Sequence, residues 1–390
     1  MQPTLQTPAT LHNQRAESIN ALQPPLASKQ EWFDQSVEAG ESVNTELLIT
    51  ETYSSRSVSV PIQVRRGLAD GPTVFVSAAV HGDELNGTGA IRSLLSDTSW
   101  TLERGTLLLV PVMNVLGFER HSRYLPDRRD LNRCFPGSPS GSMASRLARV
   151  IFESLVERCD YGIDLHTAAV RRTNFPNVRA DLKNADCQRL AEAFGAGIIL
   201  SGAGPKGSLR REATQDGCPT IVVEGGEVWK VESSVADCMT RGVFNVLKEL
   251  GMMAGIPEVP KNQAVIKQTK WIRAERGGFI AMHVAPGDIV VKGQPLATNS
   301  SLLSEDQNRL EAPFSGIVIG MTTLPGVQPG EPVIHLGRLP NKKSARRHEV
   351  QVESDDVQRT AHEHLATGIQ VINAEPDANE LNEIGERDAN

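Results

Sequence analysis

Over the first two thirds of the chain, short apolar runs alternate with stretches whose apolar residues recur every three or four positions. TVFVSAAV (73–80), GTLLLVPVMN (105–114), YGIDLH (161–166), GIIL (197–200) and PTIVVEGG (219–226) are runs of the first kind. Their unbroken apolar character is that of strands covered on both faces. MASRLARVIFESLVER (143–158) and NADCQRLAEAFG (184–195) have the three- and four-residue spacing of amphipathic helices. The stretch from Val231 to Gly251 reads as a closing helix stopped by glycine. Strands alternating with helices predict an α/β domain on a mostly parallel or mixed sheet.

The texture changes after MAGIPEVP. RGGFIAMHVAPGDIVVKGQPLA and EAPFSGIVIGMTTLPGVQPGEPVIHLG hold short apolar segments between PGD, KGQ, FSG and QPG turns, with no helical period. That pattern predicts a small all-β domain. Its two similar halves resemble the biotinyl/lipoyl-type barrel-sandwich module. Where such modules carry a modified lysine, this chain reads SSLLSEDQNRLEAP, without one, which disfavours a carrier role. The expected organisation is an N-terminal arm (1–45), a catalytic α/β domain (46–256), a C-terminal β domain (262–339) and a polar, disordered tail (340–390).

Composition narrows the class. The 390 residues carry a net charge of −7, with no dominant basic stripe, so a nucleic-acid partner is not expected. The five cysteines are odd in number and form no CxxC pair, a pattern of reduced thiols in a cytoplasmic protein. The first residues lack the apolar core of a secretory signal, and no apolar run is long enough to span a membrane. Cytoplasmic localisation is expected, and a symmetric homo-oligomer is the default for assembly.

The candidate chemistry sits at strand ends, where open α/β sheets bind ligands. His81 and Glu84 follow the first apolar run; alone, HGDE could equally be a turn in which Asp83 or Glu84 caps a helix. His166, ending YGIDLH, is a third ligand candidate on a separate strand end, and Asp164 shares its strand face and can orient it. Two histidines and a carboxylate with an open fourth position make a catalytic zinc site. In RDLNRCFPG, Asn132 and Arg133 supply the donors that match a substrate carboxylate, and Arg123 or Arg129 just upstream could polarise a carbonyl. Glu224 ends IVVE before two glycines, where a carboxylate needs a partner or a task. It is the preferred general acid/base, with Glu227 the competing residue and a salt bridge to Arg210 or Arg211 the plain alternative.

HGDE, DLNRCFPG, DLHT and IVVEGG, in that order, resemble the succinylglutamate desuccinylase/aspartoacylase family, within the zinc carboxypeptidase-like fold. The resemblance covers about residues 46 to 337. It implies a three-layer α/β/α domain with a mixed sheet and an appended β domain that narrows the mouth of the site. It also implies one Zn2+ per chain on His81, Glu84 and His166, a carboxylate held by Asn132 and Arg133, and Glu224 as general acid/base. The family's carbonyl-polarising arginine is Arg123 or Arg129, and further substrate contacts fall to Arg172, Arg179 or Arg210. The activity implied is hydrolysis of the amide of a small N-acyl amino acid. The alternatives are a metallocarboxypeptidase acting on short peptides and a non-catalytic metal-binding protein.

Overall fold

A computed structural model describes residues 29–52, 54–303, 307–339, 352 and 354–367. A small hairpin, β1 (Gln30–Trp32) and β2 (Gln35–Val37), precedes two long antiparallel strands, β3 (Ser42–Glu51) and β4 (Ser57–Arg66). The hairpin and the start of β3 fall inside the expected N-terminal arm. Trp32 and Val37 are buried there against the same apolar cluster as β4 and thus tie that part of the arm to the core. Residues 1–28 of the expected arm lie outside the described residues.

The centre of the sheet is built from β5 (Ala69–Ala78), β6 (Arg104–Val110), β7 (Tyr161–His166), β8 (Arg172–Ala180), β9 (Ile198–Ser201) and β10 (Thr220–Gly226). The pairs β6/β5, β5/β7 and β7/β10 are parallel, and β8 joins β10 antiparallel, giving the mixed sheet that the sequence pattern implied. Val74, Val76 and Ala78 of β5 face one side, where they pack on α1 (Asn86–Ser96) together with Leu107, Leu165 and Val223. Phe75 faces the other side. Both faces are covered, so the strands read as continuous apolar runs.

The short α2 (Val115–Phe118) follows β6, and α3 (Met143–Ser154) follows the segment that carries Asn132 and Arg133. Then come α4 (Ala185–Phe194), α5 (Leu209–Gln215) and α6 (Ser233–Glu249). Helices α1, α4 and α6 cover one face; α3 and α5 cover the other. This is the expected three-layer arrangement. β8 and α1 were not foreseen, because RTNFPNVRA and NGTGAIRSLLS carry polar residues where a simple apolar pattern would be sought.

The remaining strands are β11 (Ala264–Ile266), β12 (Thr269–Arg273), β13 (Gly278–Met282), β14 (Ile289–Val290), β15 (Pro295–Ser300), β16 (Gln307–Glu311), β17 (Gly316–Thr322), β18 (Gly326–Val327) and β19 (Pro332–Arg338). β13, β15, β16 and β18 make the separate antiparallel sheet of the C-terminal region. β17, however, pairs antiparallel with β8, and β19 and β12 follow it, so the central sheet continues into the C-terminal region.

Part of the tail expected to be disordered is a helix, α7 (Asp356–Thr367). Its buried Gln358, Ala361 and Leu365 lie on one face at helical spacing. Arg241 of α6 holds Asp355, just before it, through two hydrogen bonds of 2.9 and 3.3 Å. The overall polarity of the tail concealed this narrow apolar stripe. Of the tail, only Val352 and residues 354–367 are among the described residues.

Candidate metal centre and active site

His81 follows β5, His166 ends β7, and Glu224 of β10 stands opposite His166 in the parallel register. The three parallel strands therefore deliver these side chains at the same edge of the sheet. The HGDE loop packs closely on α2: a Cβ on Gly82 would stand 2.0 Å from the Gly117 carbonyl carbon, so only glycine fits. This close approach turns His81 and Glu84 inward, and both are buried.

One donor atom from each of His81, Glu84 and His166 lies within 4.8 Å of the others. His81 Nδ1 is 2.6 Å from Glu84 Oε1, and His166 Nδ1 is 2.8 Å from Glu84 Oε2. Each imidazole turns its Nε2 to a carboxylate: His81 to Asp130 Oδ1 at 3.2 Å and His166 to Asp164 Oδ2 at 2.7 Å. Ser77 Oγ donates to the other oxygen of Asp164 at 2.8 Å. With Nε2–H donating to these carboxylates, both Nδ1 lone pairs face the same point, which is how histidines are held for a metal. Burial favours the neutral form of Glu84, yet the two imidazoles hold its carboxyl well below the usual range. Burial lowers the His81 and His166 pKa values, but Glu84 and the Asp130 or Asp164 carboxylate outweigh it and raise both. A buried anionic cluster of this kind fits a divalent cation in place of the protons.

A cavity of about 330 Å³ opens beside this cluster. Arg123 lines it and bridges two carboxylates, with Nη1 3.3 Å from Glu84 Oε1 and Nη2 2.9 Å from Asp130 Oδ2. Arg129 does not reach it; its side chain is 61% exposed and sits 3.9 Å from Asp127. Asn132 Oδ1 accepts from Leu209 N–H at 2.8 Å, which leaves its NH2 end to donate, and Arg133 lies beside it in the lining. Arg172, Arg179, Arg210 and Glu224 also line the cavity. Glu224 is paired with Arg179 (3.1 Å) and accepts from Asn174 Nδ2 (2.8 Å), and not with Arg211, which donates to the Gly204 carbonyl at 3.2 Å. Glu227 is turned away: it accepts from Thr323 Oγ1 at 2.5 Å and pairs with Lys230 at 3.1 Å. Burial and then Arg179 push the Arg210 guanidinium down to about 10, and its Nη1 has no hydrogen-bond partner among the described residues.

Residues 70–250 match the model of the Succinylglutamate desuccinylase/Aspartoacylase catalytic domain. These residues form a catalytic domain of the succinylglutamate desuccinylase/aspartoacylase type. A curated relative, N-alpha-acetyl-L-2,4-diaminobutyric acid deacetylase of Halomonas elongata, is 29% identical over 255 residues, 62% of this chain and 74% of that protein. A succinylglutamate desuccinylase structure from Silicibacter sp. TM1040 has the same fold, with a TM-score of 0.69 at 22% identity over 81% of this chain and 99% of that one. The product-bound Ectoine utilization protein EutE (DoeB) from Ruegeria pomeroyi matches with a TM-score of 0.68 at 25% identity, over 81% and 99% of the two chains.

Four contributors to this site escaped the reading of the sequence. Asp130 lies inside the RDLNRCFPG segment beside Asn132 and Arg133 but was not picked out with them, because its role required knowing where His81 Nε2 points. Asn174 is two residues beyond Arg172, so a strand assignment there would have placed both on one face. Trp271 and His335 reach the cavity from the C-terminal region and have no local motif at all.

Proposed function

We propose that this protein is a zinc-dependent amidohydrolase that removes the acyl group from a small N-acyl amino acid. The observation that carries the reading is the joining, in one cavity, of a buried His/Glu/His cluster, a carboxylate on the neighbouring strand and several guanidinium groups. Zinc held by His81, Glu84 and His166 supplies Lewis-acid chemistry to the carbonyl and to water. Asn132 and Arg133 hold the substrate carboxylate and so fix where the amide lies. Arg123 donates to the carbonyl oxygen as negative charge gathers on it. Glu224 takes a proton from the attacking water as the new C–O bond forms. It returns that proton to the amine nitrogen as the C–N bond breaks.

The cavity favours anionic substrates. Arg210 is buried with an unsatisfied N–H, a costly arrangement that an acidic ligand would relieve. Trp271 and His335 wall the cavity from the C-terminal side, and about 330 Å³ suits a compound of N-acyl amino acid size. These features favour a deacylase over a carboxypeptidase on the same fold, and hydrolysis of peptides longer than three residues would reverse that choice.

Elemental analysis of purified wild type and His166→Ala, beside a panel of N-acetyl and N-succinyl amino acids, tests the reading. The expected result is about one zinc per chain with amide hydrolysis, both lost in the variant. Zinc retained by the variant would remove His166 from the ligand set. Zinc bound by a wild type that cleaves no member of the panel would count against the deacylase assignment.

A further inference from the structure

Five residues stand opposite one another across five strands: Gly226 of β10, Asn174 of β8, Gly320 of β17, His335 of β19 and Trp271 of β12. Asn174 is 5% exposed, and its Nδ2 donates to Glu224 Oε2 at 2.8 Å. Arg179 Nη1 takes the other oxygen, Oε1, at 3.1 Å. The amide can offer its NH2 to Glu224 only with Oδ1 turned toward β17. There Oδ1 lies 2.2 Å from the place where a Cβ on residue 320 would stand. Glycine at 320 leaves room for that posture and for the Thr173 carbonyl, whose oxygen lies 2.5 Å from the same point.

We propose that Asn174 is a positioning residue for Glu224, kept in place by Gly320, and that the C-terminal region acts on the chemistry through this contact. The proposal rests on the reading of Glu224 as the proton carrier. A single long arginine fixes one oxygen of a carboxylate but lets the group pivot about it. A second donor on the other oxygen fixes the plane of the carboxylate. Because the amide is uncharged, it does so without a second positive charge, which would oppose uptake of the water proton by the same carboxylate in the first half of the reaction. Asn174 therefore sets direction, and Arg179 sets charge.

The test compares wild type with Asn174→Ala, Asn174→Asp and Gly320→Ala, measuring kcat and KM on the best substrate of the N-acetyl and N-succinyl panel, thermal unfolding, and crystal structures. Asn174→Ala is expected to lower kcat about 10- to 100-fold, as small misplacements in an active site do, while KM stays within about two-fold and unfolding barely moves. Asn174→Asp keeps the shape and removes the donor; it should be at least as impaired as alanine, whereas a packing role would let it rescue. Gly320→Ala, whose Cβ would meet both Asn174 Oδ1 and the Thr173 carbonyl, should lower kcat at least as far as Asn174→Ala. In the Asn174→Ala crystal structure the Glu224 carboxylate should be rotated from its wild-type position. Wild-type kcat in Asn174→Ala or Gly320→Ala, rescue by aspartate or an unmoved Glu224 would each overturn the proposal. Should Gly320→Ala fail to fold, the two Asn174 variants decide. Should wild type hydrolyse nothing in the panel, the deacylase reading falls and the Glu224 rotamer alone decides the positioning claim.

Discussion

The parallel strands β5, β7 and β10 present His81, Glu84, His166 and Glu224 at or just beyond their carboxyl ends, with His81 beside Glu84 three residues on and His166 beside Asp164 two residues back. The strands β12, β17 and β19 contribute differently. Trp271, Gly320 and His335 are mid-strand residues, brought to the same cavity by register across a sheet that does not stop at the expected domain boundary. The first region places reactive groups by local turns and short motifs. The second shapes and supports them through pairings made far away in sequence. Strand ends are where backbone polar groups leave the ladder and side chains can converge, so reactive groups gather there. The middle of a strand offers fixed spacing, which suits a wall or a brace.

The sharpest way to separate the two regions is to remove one residue from each. His166→Ala should abolish both metal binding and turnover, since a three-ligand site does not survive as two. Trp271→Ala should retain the metal at about one per chain and alter KM across the substrate panel. Metal loss in the second variant, read by elemental analysis, would mean that the C-terminal region also builds the metal centre.

Within the first region the two candidate arginines now differ. Arg123 touches Glu84 and Asp130 at the cavity, while Arg129 faces solvent. Arg123→Gln should lower kcat about 10²- to 10³-fold, the usual loss when a donor to a developing oxyanion is removed. Arg129→Gln should remain near wild type. Equal losses in steady-state assays would show that position in the cavity does not decide which arginine works.

The carboxylates behind the histidines come next in size. Asp164→Asn and Asp130→Asn each leave an imidazole unable to donate Nε2–H to a charged acceptor and should weaken metal binding about 10- to 100-fold. Competition titration with a chelator measures this directly. Unchanged affinity in both would remove the orienting role.

These contrasts also explain what could be read from the chain alone. His81, Glu84, His166, Asn132, Arg133 and Glu224 follow apolar runs or sit in short segments, so pattern and residue chemistry find them together, and the structure brings all six to one cavity. The central strands were visible because burial on both faces leaves them unbroken. β8 was not, since it carries Arg172, Asn174 and Arg179, which line the cavity, and so lacks an apolar signature. The continuation of the sheet through β17 could not be seen either. Strand pairing depends on which edge is left free, and a sequence does not state its own edges. The helix α7 shows the same limit at the surface, where two buried apolar residues, Ala361 and Leu365, and the Arg241–Asp355 ion pair hold a polar segment.

His335 provides the smallest and most specific test of how far the two regions depend on one another. Burial, then Arg179 and Arg172 of β8, push its pKa down to about 4 from an ordinary 6.5. The folded state thus favours the neutral ring, while the unfolded chain takes up a proton near its ordinary value. The stabilising contribution is fully present above pH 6.5 and is lost as pH falls toward 4. A shift of that size corresponds to roughly 3 kcal/mol at most. Urea unfolding of wild type and His335→Gln at pH 7 and pH 4.5 isolates it: the acid-induced loss should be smaller in the variant by a large part of that amount. An equal loss in both proteins would mean that neither burial nor the β8 arginines hold His335 neutral in the folded chain. The wall from the C-terminal region would then stand apart, electrically, from the site it encloses.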